Sequence, residues 1–362
     1  MSWSPTARRN GISGVAHLFR REEWRLSEHG PVLERIMRSA LEADDRVARL
    51  HAAHVIQLLE PDPQRALPLI RRRLLVEPEG HVAAVLTNEL HAIARRLPAE
   101  VDALLGNLAV ASLWQTRLAS RDRGSDAAQA LVSLNLYLAI AHETTTASDL
   151  AGRWFSRPTE GPVAQRVFWL LRPWLSLPRV RSEERHRAFV LVSTAARALD
   201  SLRLMNEASN ATDIYQIAGE LVDAIYFASG AFGTEETNRE PLPAEEGFAK
   251  EAFPILDLLR EFKHPSIVHR IVETLGHLSS SDPRRAFLLV ERSISAGDAY
   301  TFDMLAAATS IGLIERYLAE YRDVVATDPD VLTAVRRVLD AFVRVGWPAA
   351  ISLSYRLGDA FR

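Results

Sequence analysis

One internal repeat constrains the fold of this chain more than any other sequence feature. Residues 47–74 align without gaps to residues 267–294, and the shared positions spell DPxRAxxLxxR after a common leucine. Residues 331–358 and 82–107 fit the same pattern more loosely. Units that recur at a few tens of residues bury their apolar faces against neighbouring units of the same kind. The repeat therefore predicts a stack of similar structural units.

The repeat unit is predicted to be a pair of helices. Apolar residues between Val47 and Leu59 follow the i, i+3, i+4, i+7 spacing of a helix, and Asp44 and Asp45 offer oxygens for its first turn. Proline at 61 and 63 ends this helix and opens the next. The side chains predicted to face inward are Val47, Leu50, His51, His54, Val55, Leu58 and Leu59 in the first helix and Ala66, Leu67, Leu69, Ile70 and Leu74 in the second.

The stretches DDRVARLHAAHVIQLL (44–59) and ALPLIRRRLL (66–75) together resemble a HEAT repeat, and DPDVLTAVRRVLDAF (328–342) has the same look. HEAT-like and armadillo-type repeats form α-solenoids of antiparallel helix pairs. The resemblance implies an all-α solenoid; it is clear over about four units and blurred between residues 109 and 262. It implies little about function, because such solenoids serve many unrelated tasks.

Composition shifts predict how the chain is organised. We expect a lead-in at 1–30, a helical-repeat segment at 31–230 with an irregular aromatic and arginine-rich middle, an acidic flexible loop at 231–247, and a second helical-repeat segment at 248–362. In the lead-in, a short helix is expected to end at Gly30-Pro31, followed by a helix from about 31 to 42. Further helices are predicted near 126–142, 146–156, 162–176, 183–205, 211–230 and 246–262.

The residue types present exclude several kinds of site. The chain of 362 residues contains no cysteine, which excludes disulfides, thiolate metal sites and cysteine nucleophiles. Walker A, GxSxG, HExxH, DxDxDG and GxGxxG motifs are absent from the sequence. No apolar run reaches the roughly 18–20 residues that a membrane-spanning helix needs. We therefore expect a cytoplasmic protein without catalytic, cofactor or metal residues and without a membrane partner.

Two groups of polar residues were considered as chemical sites. His51 and His54 are three positions apart and could ligate a metal, but no carboxylate accompanies them on that helix face, so we interpret them as partly buried repeat residues. His142, Glu143 and Asp149 could form an acid/base cluster. The threonines between them are more typical of a helix end followed by a new N-cap.

The candidate interaction surface has two parts. Arg71, Arg72, Arg73, Arg95 and Arg96 fall at equivalent places on adjacent units and are predicted to form one ridge. It is interpreted first as a solvated surface, then as a site for an acidic partner, and last as a phosphate site.

The second part is the segment 153–187, which contains Trp154, Trp169 and Trp174 among eight arginines. These tryptophans, with Phe155 and Phe168, are expected to fill the join between two stacks of repeats. A protein interface or a platform for stacking bases are the alternatives.

Together these features favour a non-catalytic helical-repeat scaffold or sensor that binds a protein or peptide. The chain resembles, in general style, the C-terminal sensor repeats of bacterial STAND-type signalling and defence NTPases. The alternative is a nucleic-acid-binding solenoid similar to the HEAT-like DNA glycosylases. The formal net charge of −3 argues against it, although residues 1–200 carry 27 basic and 22 acidic side chains. An enzyme with scattered acid and base residues is a third hypothesis. The sequence leaves the oligomeric state open.

Overall fold

The described part of the chain is built from helices joined by short turns. The computed structural model describes residues 7–20, 26–119, 126–163, 167–176, 180–205, 211–231, 246–296 and 298–360. Within these ranges no β-strand occurs, and no helix is long and apolar enough to cross a membrane. The all-α prediction is therefore confirmed. Most of the loop predicted at 231–247 lies outside the described residues.

The chain divides into two compact units, Met1–Trp154 with Glu160–Val167, and Phe155–Thr159 with Phe168–Arg362. The first nine helices are α1 (Ala7–Arg20), α2 (Leu26–Leu41), α3 (Arg46–Val55), α4 (Pro63–Leu74), α5 (Gly80–Ala94), α6 (Pro98–Val110), α7 (Ser112–Ala119), α8 (Asp126–Ala141) and α9 (Thr145–Phe155). The others are α10 (Arg172–Leu175), α11 (Ser182–Leu204), α12 (Ala211–Ser229), α13 (Glu246–Leu259), α14 (Pro265–Leu278), α15 (Pro283–Ala296), α16 (Met304–Glu320), α17 (Arg322–Thr327), α18 (Pro329–Val345) and α19 (Pro348–Ala360). Short 3₁₀ segments occur at Ile56–Leu59, Val167–Leu171, Arg260–Phe262 and Asp298–Phe302.

Helices pack mainly against their neighbours in sequence and against the next helix but one. In the first unit, α1, α3, α5 and α8 contact one another in that order, and so do α2, α4 and α6. In the second unit, α10, α12, α14 and α16 form one such series, and α11, α13, α15 and α18 form another. Each unit therefore buries its apolar side chains among helices that are close in sequence.

Polar contacts show that α5 and α8 run in the same direction, and that α15 and α18 also do. The His81 Nδ1 atom lies 3.3 Å from Asp126 Oδ2 near the starts of α5 and α8, and His91 lies beside Ser133 further along both. In the second unit, Arg284 at the start of α15 donates to Asp328 before α18, and Arg337 of α18 lies 3.6 Å from Glu291 of α15.

The predicted helix pair is present in both aligned repeats, and Pro63 and Pro283 each begin the second helix. The Asp45 side chain accepts a hydrogen bond from the Val47 amide, so the predicted cap is confirmed. The predicted inward face of α3 is only partly correct. Val55 and Leu59 are buried as predicted, whereas Val47 is 37% exposed and His54 is exposed. The buried residues that the prediction missed on α3 and the 3₁₀ turn after it are Ala48, Arg49, Ala52, Ala53 and Ile56.

Two predicted helix boundaries differ from the structure. A helix was expected to begin at 31, after a shorter one that ended at Gly30-Pro31, but α2 begins at Leu26 and passes through Pro31. The Pro31 side chain is exposed, and α2 continues through this residue although proline cannot donate an amide hydrogen bond. The predicted helix at 162–176 is in its described part a 3₁₀ turn followed by the four-residue α10. The other helices predicted in the middle of the chain are present within one to three residues.

Candidate functional site: an arginine-lined cleft

A small cleft between α2 and α4 gathers two of the arginines that the sequence singled out. Its cavity volume is about 220 Å³. Residues at helical spacing line it from both sides. The lining consists of Arg38, Leu41 and Glu42 from α2 and Leu69, Arg72, Arg73 and Val76 from α4 and the turn after it. We call this feature the arginine cleft.

Each guanidinium in the arginine cleft is paired with a carboxylate, and the three pairs differ in exposure. Arg38 Nη2 donates to Glu34 Oε1 at 2.6 Å, and Arg72 Nη2 lies 2.9 Å from Glu42 Oε1. The side chains of Arg72 and Glu42 are 69% and 45% exposed, so water and salt screen this pair. An incoming carboxylate can therefore replace Glu42 at Arg72 at little cost.

Arg73 is held far more firmly, because it takes part in a buried ionic cluster. Its Nε atom donates to Glu77 Oε2 at 2.5 Å, and the Glu77 side chain is fully buried. Arg49 donates to both Glu77 carboxylate oxygens, at 3.1 and 3.3 Å, and to the carbonyls of Ala43 and Asp44. Burial alone would raise the pKa of Glu77. Hydrogen bonds from Arg73, the Glu79 amide and Arg49 outweigh burial and hold that pKa below its ordinary value.

The apolar part of the arginine cleft consists of Leu41 and Leu69, which are buried, and Val76, which is 63% exposed. Guanidinium groups offer planar pairs of donors that match carboxylate or phosphate oxygens. An apolar floor beside them favours a ligand that also carries an apolar group. The cleft is therefore suited to a short segment that combines acidic and apolar side chains.

The remaining arginines of the predicted ridge do not line this cleft. Arg71 and Arg95 are exposed. Arg96 Nη1 donates to the Pro61 carbonyl at 2.9 Å, which fastens the end of α5 to the turn before α4. The ridge is thus divided among a cleft-lining pair, Arg72 and Arg73, a structural contact at Arg96, and two solvated side chains.

The aromatic segment likewise separates into buried and exposed residues. Phe155 and Phe168 are fully buried and pack edge to face, with ring centroids 5.7 Å apart. Trp169 is 49% exposed, so the expectation that it fills a core is wrong. Trp154 and Trp174 are half-buried.

In the same segment a guanidinium already covers an aromatic face. Arg172 lies over the Phe227 ring at 4.2 Å from its centroid, and Arg270 covers Tyr226 in the same way at 4.3 Å. Burial lowers the pKa of Arg172 and raises that of Asp223, while the attraction between them opposes both shifts. The Phe227 and Tyr226 rings are therefore each covered by an arginine of the same unit.

The polar residues at 142–149 form a helix junction. Thr144 Oγ1 donates to Asp102 Oδ1 at 2.8 Å, and the amides of Thr146 and Ala147 donate to the same carboxylate. The predicted helix end and new helix start are present, since α8 ends at Ala141 and α9 begins at Thr145. The oxygens that cap the first turn of α9 come from Asp102 on α6 and not from the threonines. Among the described residues, no three His, Asp or Glu side chains are placed to hold a metal ion together.

Glu89 on α5 has a shifted pKa, which the sequence did not indicate. Burial, together with the nearby Glu60 carboxylate, raises the pKa of Glu89 to about 7. A carboxyl with a raised pKa in the folded state makes stability fall as pH rises from its unfolded pKa to its folded one. Glu89→Gln should remove this fall.

We therefore expect Glu89→Gln to be more stable than the parent at about pH 8, with the difference shrinking as the pH falls to about 4, measured as urea midpoints. Glu100→Gln, at an exposed site on α6, is the matched control. Equal pH dependence in the parent and Glu89→Gln would contradict the assignment.

No family model matches this chain, and a search of curated proteins returns no match.

Proposed function

We propose that this chain is a non-catalytic, HEAT-like helical-repeat module that binds a protein or peptide partner. The observation that carries the proposal is the arginine cleft, where three guanidinium groups and an apolar floor meet between two helices. The aligned repeats at 47–74 and 267–294 support the solenoid architecture, because both consist of a helix pair with proline opening the second helix. The contacts between alternate helices in each unit also support it.

The partner chemistry follows from the exposed pair in the cleft. Arg72 is free to exchange the Glu42 carboxylate for one from a partner, while Arg73 is fixed by Glu77. We therefore assign the arginine cleft to a short acidic peptide segment with a leucine-like residue for the surface of Leu69 and Val76. A cavity of about 220 Å³ suits one or two side chains better than a nucleic-acid backbone.

Arg72→Glu should weaken binding of such a peptide by about tenfold or more, because it replaces a charge-assisted hydrogen bond by repulsion. The midpoint of thermal unfolding should hardly change, since the Arg72–Glu42 pair is exposed. Binding is measured by fluorescence anisotropy of a labelled Asp/Glu/Leu peptide, with a Lys/Leu peptide and a single-stranded oligonucleotide as comparison ligands.

The matched control is Arg71→Glu, which makes the same charge change at the neighbouring exposed position outside the cleft. If Arg71→Glu and Arg72→Glu weaken peptide binding equally, the effect is due to overall charge and the proposed site is refuted. Tighter binding of the oligonucleotide, lost steeply with salt, would favour the nucleic-acid alternative.

A further inference from the structure

Two of the three arginines in the arginine cleft can turn toward a ligand. Arg38 and Arg72 line the cleft, one from α2 and one from α4, and their side chains are 49% and 69% exposed. Water and salt screen ion pairs at such exposed positions, so each guanidinium can exchange its carboxylate at little cost. Arg73 is held by the buried Glu77 and does not exchange in this way. The cleft therefore offers a ligand two exchangeable guanidinium groups.

The carboxylates released by this exchange keep other partners. Arg38 donates to Glu34 Oε1, whereas Glu34 Oε2 lies 3.4 Å from Arg65 Nη1. Glu34 therefore retains a cation when Arg38 turns away. Glu42 is 45% exposed, so water can take the place of Arg72 beside it. The exchange leaves no buried carboxylate without a cation, which would be the costly outcome.

The charge that then remains around the arginine cleft matches a dianion. Once Glu42 has turned to water, the ion-paired groups in the described part of this region contain five arginines and three carboxylates. The arginines are Arg38, Arg49, Arg65, Arg72 and Arg73, and the carboxylates are those of Glu34, Asp62 and Glu77. Two positive charges are therefore left uncompensated by direct contacts. A ligand carboxylate balances one of them, whereas a phosphate monoester carries about −1.5 to −2 charge and three acceptor oxygens.

The backbone at the arginine cleft does not itself attract an anion. Leu41 is the last residue of α2, and Arg72 and Arg73 lie in the last turn of α4. The C-terminal end of a helix presents carbonyl oxygens and a partial negative charge, which disfavour an anion. Binding of an anionic ligand must therefore depend on the guanidinium groups, and the loss of one exchangeable arginine should have a large effect.

We infer that the acidic group bound by the arginine cleft is a phosphorylated side chain of a peptide, held by Arg38 and Arg72 together. The surface of Leu69 and Val76 receives an apolar side chain next to the phosphate. This apolar contact favours a phosphopeptide over free phosphate. The inference rests on the proposed function, because it names the anion for the same site. A peptide with a plain carboxylate becomes the weaker ligand of that site.

The test is fluorescence anisotropy of the full chain at neutral pH with three labelled peptides, which carry phosphoserine, glutamate or serine between two leucines. The phosphoserine peptide should bind about tenfold more tightly than the glutamate peptide, because it engages two guanidinium groups. The serine peptide should bind most weakly. Inorganic phosphate, added as a competitor, should displace the phosphoserine peptide only at a concentration well above the dissociation constant of the peptide, because it lacks the leucines.

Arg38→Gln removes the second exchangeable guanidinium at an exposed position and should fold like the parent by circular dichroism. It should bind the glutamate peptide nearly as tightly as the parent does, because Arg72 is still present, and should lose most of the preference for phosphoserine. Arg35→Gln is the matched control, since it removes an exposed arginine of the same helix that does not line the cleft. This control should keep the full preference.

The outcomes separate this inference from the proposed function. If the glutamate and phosphoserine peptides bind the parent equally, or if Arg38→Gln keeps the preference, the phosphopeptide assignment is overturned while the peptide site stands. Inorganic phosphate that binds as tightly as the phosphoserine peptide would also overturn it. If none of the three peptides binds, the proposed function and this inference both fail.

Discussion

Arg49→Ala is expected to lower the free energy of unfolding by about 3–5 kcal/mol, the cost of removing one partner from a buried ion pair. Arg49 is 5% exposed and donates to Glu77, whose side chain is fully buried. Its guanidinium also satisfies the carbonyls of Ala43 and Asp44 before α3. The substitution therefore leaves a buried carboxylate short of donors and frees two backbone acceptors.

Urea denaturation at neutral pH measures this loss, and Arg46→Ala, at the exposed first position of α3, should change stability by no more than about 0.5 kcal/mol. The Glu77 pKa is lowered in the folded protein, so its ionised form contributes stability above the unfolded pKa of about 4.3. Protonated Glu77 needs no cation. The difference between parent and variant should therefore shrink as pH falls through that region, and a difference that grows on acidification would refute this account.

Trp114→Ala is expected to cost about 3–5 kcal/mol, the usual range for deleting a large buried side chain. Trp114 is fully buried on α7, and its Nε1 atom donates to the Leu74 carbonyl at 2.9 Å. Arg117 lies 4.8 Å from the ring centroid and donates to the carbonyls of Glu77 and Pro78. Loss of the indole would open a cavity and release the turn after α4.

The comparison variant is Trp169→Ala, which removes the same atoms from a site that is 49% exposed and should cost less than about 1 kcal/mol. Both variants are compared by chemical denaturation followed by circular dichroism, because removing a tryptophan alters fluorescence. Equal costs for Trp114→Ala and Trp169→Ala would show that exposure does not distinguish the two sites.

Helix positions were largely predictable from local sequence signals. Asp45 and Pro63 mark helix starts through capping and fixed backbone geometry, and both effects depend only on neighbouring residues. Pro31 was misleading, because proline usually ends a helix but α2 continues through it.

The buried side of α3 was not predictable in the same way. The helix buries alanines, which allow close approach, and Arg49, which is paired with a glutamate 28 positions away. Hydrophobicity alone places arginine outside and valine inside, so the apolar pattern identified Val55 and Leu59 correctly but placed Val47 inside and missed Arg49. A distant partner determined which side chain could be buried.

The arginine cleft was only half predictable. The cluster Arg71–Arg73 is plain in the sequence, but helical spacing cannot show that Arg72 lines a cleft while Arg71 faces water. Arg38, Leu41 and Val76 were missed because their role depends on how α2 packs on α4. The exposure of Phe302, Met304 and Leu305 was not predictable either, because these residues resemble core residues in sequence.

Several polar contacts between helices join residues that are close in sequence, and this affects how the chain folds. The hydrogen bonds from Arg49 to Glu77, from Trp114 to Leu74, from Ala147 to Asp102, from Arg284 to Asp328 and from Trp347 to Thr301 join residues 28 to 46 positions apart. Closing a loop costs entropy that grows only with the logarithm of its length. The entropy lost in forming such a contact is therefore nearly the same wherever the helices lie along the chain. Adding pairs lengthens such a protein without making any single closure slower.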